Sequence, residues 1–185
     1  TLTQPMSSTL DDPFDLQRFV AAQDSVYAQV KAELAAGAKA SHWMWFVFPQ
    51  LTGLGRSATA RHYGLASIAE ALAYWRHPVL GARLKECCDR VLSVDGLTAR
   101  QIFGATDELK FCSCLTLFER AAPTESVFGQ LLDRYYGGER DAARALATKP
   151  FNALRSLADV GAALLGGARS AQPAADGAAR LFEAP

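Results

Sequence analysis

The ten residues Ser41–Gln50, SHWMWFVFPQ, hold one histidine, two tryptophans, two phenylalanines and a closing glutamine. An indole face accepts a flat ligand by stacking, and its N–H supplies a directional contact. Core filling accounts for Trp43, Phe46 and Phe48 taken singly. It does not ask for the polar residues Ser41, His42 and Gln50, which bracket the apolar run. The loop that follows, Gly53-Leu54-Gly55-Arg56-Ser57, adds two glycines that let a backbone approach a ligand closely. Ser57 can cap a helix start, where free N–H groups favour an anion, and Arg56 and Arg61 add positive charge. No G-K-[ST] follows, so this is not a phosphate-binding P-loop. With Ala58 the stretch matches the relaxed pattern G-x-G-x-x-[GA], but that pattern needs a strand before it and a βαβ unit around it. A turn with a capping serine is the plainer alternative.

Lys110, Ser113 and Thr116 recur at intervals of three, which makes successive members neighbours on one helical face. A lysine beside a serine can form a nucleophile pair, although a solvated or capping pair is commoner. The candidate ligand-binding residues are therefore His42, Trp43, Trp45, Gln50, Arg56, Ser57, Lys110 and Ser113; none is singled out as catalytic. His77, before Pro78 at a helix junction, reads as a capping or packing residue; the alternative is a site shared by His42, His62 and His77, the three histidines of the chain. Cys87, Cys88, Cys112 and Cys114 lack the C-x-x-C ligand spacing, so neither a metal nor a cofactor is expected.

Short helices must position these groups. Asp11-Asp12-Pro13 reads as a helix start. Asp24 can cap a helix to about Ala36, ended by Gly37. Ser57 opens a short helix, and Ser67 with Glu70 fits a capping box before Ile68–Arg76. Pro78 can begin a helix to Leu92, Thr98 caps a short one ending at Gly104, and Asp107 caps one to Ala121. A further helix covers Val127–Tyr136, stopped by Gly137. The single strand candidate, Trp43–Phe48, has no partner strand. The expected fold is all-α, a compact single domain of roughly seven to nine short helices. Residues 1–10 read as a flexible leader, 11–148 as the helical domain, and 149–185 as an Ala/Gly-rich, partly flexible extension.

Composition narrows the function classes. Half of the residues are hydrophobic, and 19 Lys plus Arg balance 19 Asp plus Glu. Neutrality speaks against a non-specific nucleic-acid binder. No stretch is long and apolar enough to span a membrane. The start lacks signal-peptide character, and unpaired cysteines fit a reducing compartment, so a cytoplasmic location is expected.

Asp12-Pro13-Phe14-x-Leu16-x-Arg18-Phe19, SHWMWFVFPQLTGLGRS, HPVLGARL, DELK and TLF together resemble a widespread bacterial family of small all-helical proteins. The family carries a domain-of-unknown-function label, and some members bear the misleading name calpastatin. The resemblance covers about residues 11–147 and implies an all-α fold without an established activity. It implies no calpain inhibition, which belongs to disordered repeats. Such proteins end soon after a G-G-x-x-D segment, met here as Gly137–Asp141, whereas this chain continues. HPVLGARL and the aromatic block also loosely resemble helical proteins that process ADP-ribose-type conjugates. The function this supports is binding of a small anionic or nucleotide-like ligand around Ser41–Ser57, with or without catalysis. The alternative is a non-catalytic interaction module using an exposed aromatic surface.

Overall fold

The computed structural model describes residues 12–140; the leader and the C-terminal extension expected from the sequence lie outside the described residues. Nine helices occur among them: α1 Gln17–Asp24, α2 Tyr27–Ala35, α3 Met44–Val47, α4 Ala58–His62, α5 Ile68–Arg76, α6 Leu80–Leu92, α7 Ala99–Phe103, α8 Asp107–Ala121 and α9 Ser126–Tyr136. No strand is present among the described residues. Extended pairing is limited to one isolated parallel bridge, Leu51 with Leu65. The all-α expectation is met.

α8 forms the centre. Phe111 and every residue from Ser113 to Phe118 are buried, so this helix is covered all round rather than on one stripe. α5, α7 and α9 pack on it, α6 joins α5 to α9, and α2 lies on α6. Aromatic rings fill the joints. Phe48 meets Phe111 edge-on at 4.8 Å and Phe103 at 6.0 Å, and Phe118 stacks on Phe128 at 5.7 Å.

The helix starts follow the sequence signals with four physical corrections. Asp107 is the first residue of α8 and caps nothing, its carboxylate pairing with Lys39 and Lys110 instead. Asp12 does cap, accepting from the Leu16 and Gln17 N–H groups at 2.8 and 2.9 Å. It does so from well upstream, because Asp15 adopts a left-handed φ of 50° and delays the helix to Gln17. Asp24 caps nothing in α2 and instead pairs with Arg83 at 2.8 Å. Ser67 accepts from the Glu70 N–H as a cap should, but Glu70 reaches one residue further back, to the Ala66 N–H at 2.7 Å, and pairs with Arg18 at 2.8 Å. Thr98 and Gln101 form the reciprocal box.

Trp43–Phe48, the strand candidate, contains the single helical turn α3. Met44 and Val47 share its buried face at a spacing of three. The Phe46 carbonyl accepts from the Gln23 side-chain amide at 2.7 Å and from the Tyr74 hydroxyl at 3.2 Å. Buried side chains thus supply the partners that a neighbouring strand would otherwise have to provide.

One contact between α5 and α6 tolerates no side chain. A Cβ at Gly81 would stand 1.9 Å from the Trp75 carbonyl oxygen. Gly81→Ala is expected to cost roughly 1–3 kcal/mol, as at other overpacked sites. Urea unfolding should show a lower midpoint with an unchanged slope. Gly129→Ala, whose Cβ meets only Glu119 Oε1 at 3.3 Å, should show no such loss.

Candidate functional site

α2 ends at Ala35, and Gly37, with φ +63°, turns the chain into the segment before α3. Glu33 holds that segment. Its carboxylate accepts from the Ala40 and Ser41 N–H groups, the Ser41 hydroxyl at 2.6 Å and the Trp43 indole N–H at 2.8 Å. Burial pushes the Glu33 carboxyl up, but these donors outweigh it and hold the group at about 2. Trp43 is therefore a buried brace rather than a ligand wall, and its N–H is already used. His42, between two residues held by Glu33, is exposed.

Lys39 carries the connection onward. Its ammonium lies 2.6 Å from Asp107, donates to the Ser41 carbonyl at 2.8 Å and sits 5.0 Å from the Trp43 ring centroid. Asp107 is shared: its other oxygen pairs with Lys110 at 2.7 Å. Desolvation raises the Asp107 carboxyl, but the two lysines outweigh it and hold it below the usual range. The Lys110 ammonium in turn stands 4.6 Å from the Trp45 ring centroid.

This chain of contacts ends at a cleft of about 340 Å³. Trp45 and Gln50 form one wall, Leu54–Ser57 and Ala60 a second, and Leu109, Lys110 and Ser113 of α8 the third. Gln50 is buried, and its carbonyl accepts from the Leu65 N–H at 2.9 Å, which fixes its place in the wall. Ser57 caps α4 by accepting from the Ala60 N–H at 3.0 Å. Arg56 is exposed, and its carbonyl accepts from the Arg61 guanidinium. Its own guanidinium has neither ion pair nor hydrogen bond among the described residues.

Six of the eight sequence candidates line this cleft: Trp45, Gln50, Arg56, Ser57, Lys110 and Ser113. His42 and Trp43 do not. The glycine pattern also has another origin. A Cβ at Gly55 would stand 2.3 Å from the Ala60 Cβ, so α4 itself demands glycine there. With no strand beside it among the described residues, the G-x-G-x-x-A stretch is not a dinucleotide turn. The lysine–serine pair is likewise not arranged for nucleophilic attack. Ser113 donates to the Leu109 carbonyl at 2.6 Å and Lys110 donates to Asp107.

Sequence reasoning missed Glu33, Lys39 and Asp107 as organisers. Asp107 and Lys110 at a spacing of three were legible as a pair. Lys39 and Glu33 lie outside any motif, and their partners are set by how the loop folds back. His77 is a cap, its Nδ1 accepting from the Val79 and Leu80 N–H groups at 3.2 and 3.3 Å. His62 is exposed against the Tyr63 ring. All four cysteines are free thiols, and burial pushes the Cys87 thiol up to about 12. Among the described residues no group of three or more His, Cys, Asp or Glu could hold a metal, and no helix is long and apolar enough to cross a membrane.

The aromatic surface required by an interaction module is not presented by the block. Trp43 and Phe48 are buried, and Trp45 and Phe46 half-buried. The exposed large hydrophobic residues among those described are Leu54 and Leu109, both at the cleft.

Glu33 makes stability depend on pH. Its carboxyl is depressed from an ordinary 4.5 to about 2. Its contribution is complete above about 4.5 and is lost as pH falls towards 2. Glu33→Gln should cost about 2 kcal/mol at neutral pH, the scale of hydrogen bonds to a charged group. Thermal melts from pH 6 downward should fall less steeply for this variant than for the parent chain.

The model of the family "Protein of unknown function (DUF1810)" matches residues 13–147. The fold is similar to the crystal structure of the conserved hypothetical protein Rv1873 from Mycobacterium tuberculosis. The two are 52% identical with a TM-score of 0.73, over 74% of this chain and 98% of that one. No curated protein matches the chain.

Proposed function

The chain belongs to this family of proteins of unknown function, and we propose that its cleft beside Trp45 binds a small anionic, nucleotide-like ligand. The observation that carries the reading is the convergence of Trp45, Gln50, Arg56, Ser57, Lys110 and Ser113 on one concavity. Each class of contact a nucleotide needs is represented. Trp45, Leu54 and Leu109 offer apolar surface to a ring. Because Lys110 covers one face of the indole, the ring would use the other face or the edge. Gln50 and Ser113 supply buried polar atoms for orientation, and Arg56 and Lys110 supply charge. A pocket of this kind binds without implying a reaction, and no residue is assigned a catalytic role.

Titrating the protein with nucleotides while following tryptophan fluorescence tests the reading. Quenching is expected, and Trp45→Phe should remove most of it, since Trp43 is buried. Arg56→Ala should weaken binding about tenfold, or ~1.4 kcal/mol, without changing the melting temperature of the free protein. Absence of both quenching and thermal shift with every nucleotide at millimolar concentration would sink the proposal.

A further inference from the structure

The charges around the cleft do not cancel. Among the charged residues that line the cleft and their direct ion-pair partners there are three cations: Lys39, Arg56 and Lys110. Lys39 and Lys110 share Asp107, and Arg61 donates to the Arg56 carbonyl. One carboxylate, Asp107, pairs with the two lysines, whereas the hydrogen bonds of Glu33 come from the neutral donors of Gln29, Ala40, Ser41 and Trp43. Glu108, the other acid at this end of α8, is taken by Arg100 at 2.8 Å. The corner thus carries an excess of two positive charges in a chain whose net charge is zero. Part of that excess is poorly hydrated, because the Lys39 side chain is only 6% exposed. A shared carboxylate compensates one lysine and leaves the other's charge for something else to meet.

The size of the cleft sets a second limit. At about 340 Å³ it lies near the bottom of the range of ligand pockets, which run from roughly 300 to 1,000 Å³. One nucleoside fills a cleft of that size, whereas a dinucleotide would extend beyond it into solvent.

We infer that the ligand is a phosphomonoester on a single flat heterocycle, of the nucleoside monophosphate class, whose dianionic phosphate meets the Arg56–Lys110 side of the cleft while the ring lies against Trp45, Leu54 and Leu109. This rests on the cleft being a nucleotide site and goes further by fixing ligand charge and length. A phosphomonoester carries close to two negative charges at neutral pH, which matches the excess. A phosphodiester carries one and matches only half of that excess. A triphosphate brings more charge than the corner offers.

Calorimetric titration of the full chain with a matched set decides it: adenosine, guanosine, cytidine and uridine, their 5′-monophosphates, 3′,5′-cyclic monophosphates and 5′-triphosphates, and NAD. At least one monophosphate should bind ten times more tightly than its own nucleoside, cyclic diester and triphosphate, and more tightly than NAD. Asp107→Asn, which adds one positive charge to the excess, should move the preference towards the triphosphate. If nucleosides or cyclic diesters bind as well as monophosphates, the ring alone is recognised; the charge inference then fails while the nucleotide cleft stands. Triphosphates or NAD binding as well as monophosphates would also overturn it, as would an unchanged preference in Asp107→Asn. If no member of the set binds, the cleft reading itself falls.

Discussion

Glu33 accepts from five donors: the Gln29 side-chain amide, the Ala40 and Ser41 N–H groups, the Ser41 hydroxyl and the Trp43 indole N–H. The segment after α2 has little apolar surface of its own, being Ala36-Gly37-Ala38-Lys39-Ala40. Apart from the Lys39 N–H donating to the Ile102 carbonyl at 2.8 Å and the Lys39–Asp107 pair, little besides Glu33 sets its path. The carboxylate supplies a strong acceptor, and charge-assisted bonds are the strong ones. It seats Trp43, and Trp43 seats Phe48 at 6.2 Å and the aromatic core behind it. The position of α3, and with it Trp45 at the cleft, follows from where Glu33 stops the loop.

A second carboxylate transmits this order to the central helix. Asp107 opens α8 and bridges Lys39 of the loop to Lys110 of the helix. An acid in the first turn also suits the positive end of the helix. Ion pairs of this burial are weak evidence for stability, since desolvation offsets much of the attraction. Their geometric effect is more secure. The bridge fixes Lys110 against the Trp45 ring, so a cation and an indole reach the cleft as one unit. The corner is therefore braced by ion pairs on the α8 side, while Arg56 stands exposed on the loop across from it.

Local signals in the sequence were read well wherever the partner was local. Ser57 and Ser67 cap α4 and α5 as capping rules require, and Gly37 and Gly137 end their helices with positive φ. Asp24 and Asp15 show the limit. Asp24 had a distant partner in Arg83, some sixty residues on, which outweighed its capping propensity. Asp15 took a left-handed backbone that nothing in its neighbourhood announced. The lining of the candidate cleft was legible to the same degree. Trp45, Gln50, Arg56 and Ser57 belong to one continuous stretch, and Lys110 and Ser113 to one helical face. His42 and Trp43 share that stretch, yet side-chain direction inside a single helical turn separates Trp45 from Trp43. Residue type and spacing cannot resolve that direction when the neighbours, Met44 and Phe46, are as large and apolar as the tryptophans themselves.

Folding explains most of the cleft's residues without reference to a ligand. Gly55 is required by Ala60, Ser57 caps α4, Gln50 is fixed by its backbone pairing, and Lys110 answers Asp107. Three residues remain that the fold does not use: the Arg56 guanidinium, Leu54 and Leu109. Leu109 is 65% exposed at the first turn of a helix whose interior is otherwise covered, and Leu54 is 39% exposed at a loop tip. Single exposed leucines are ordinary. Two of them flanking one cleft, beside an arginine without a partner among the described residues, form an amphipathic rim. No contact within the described residues calls for those three side chains, so the rim is where the proposed ligand would make its contacts. A ligand that satisfied it would need an apolar ring and an anion within one nucleoside's length.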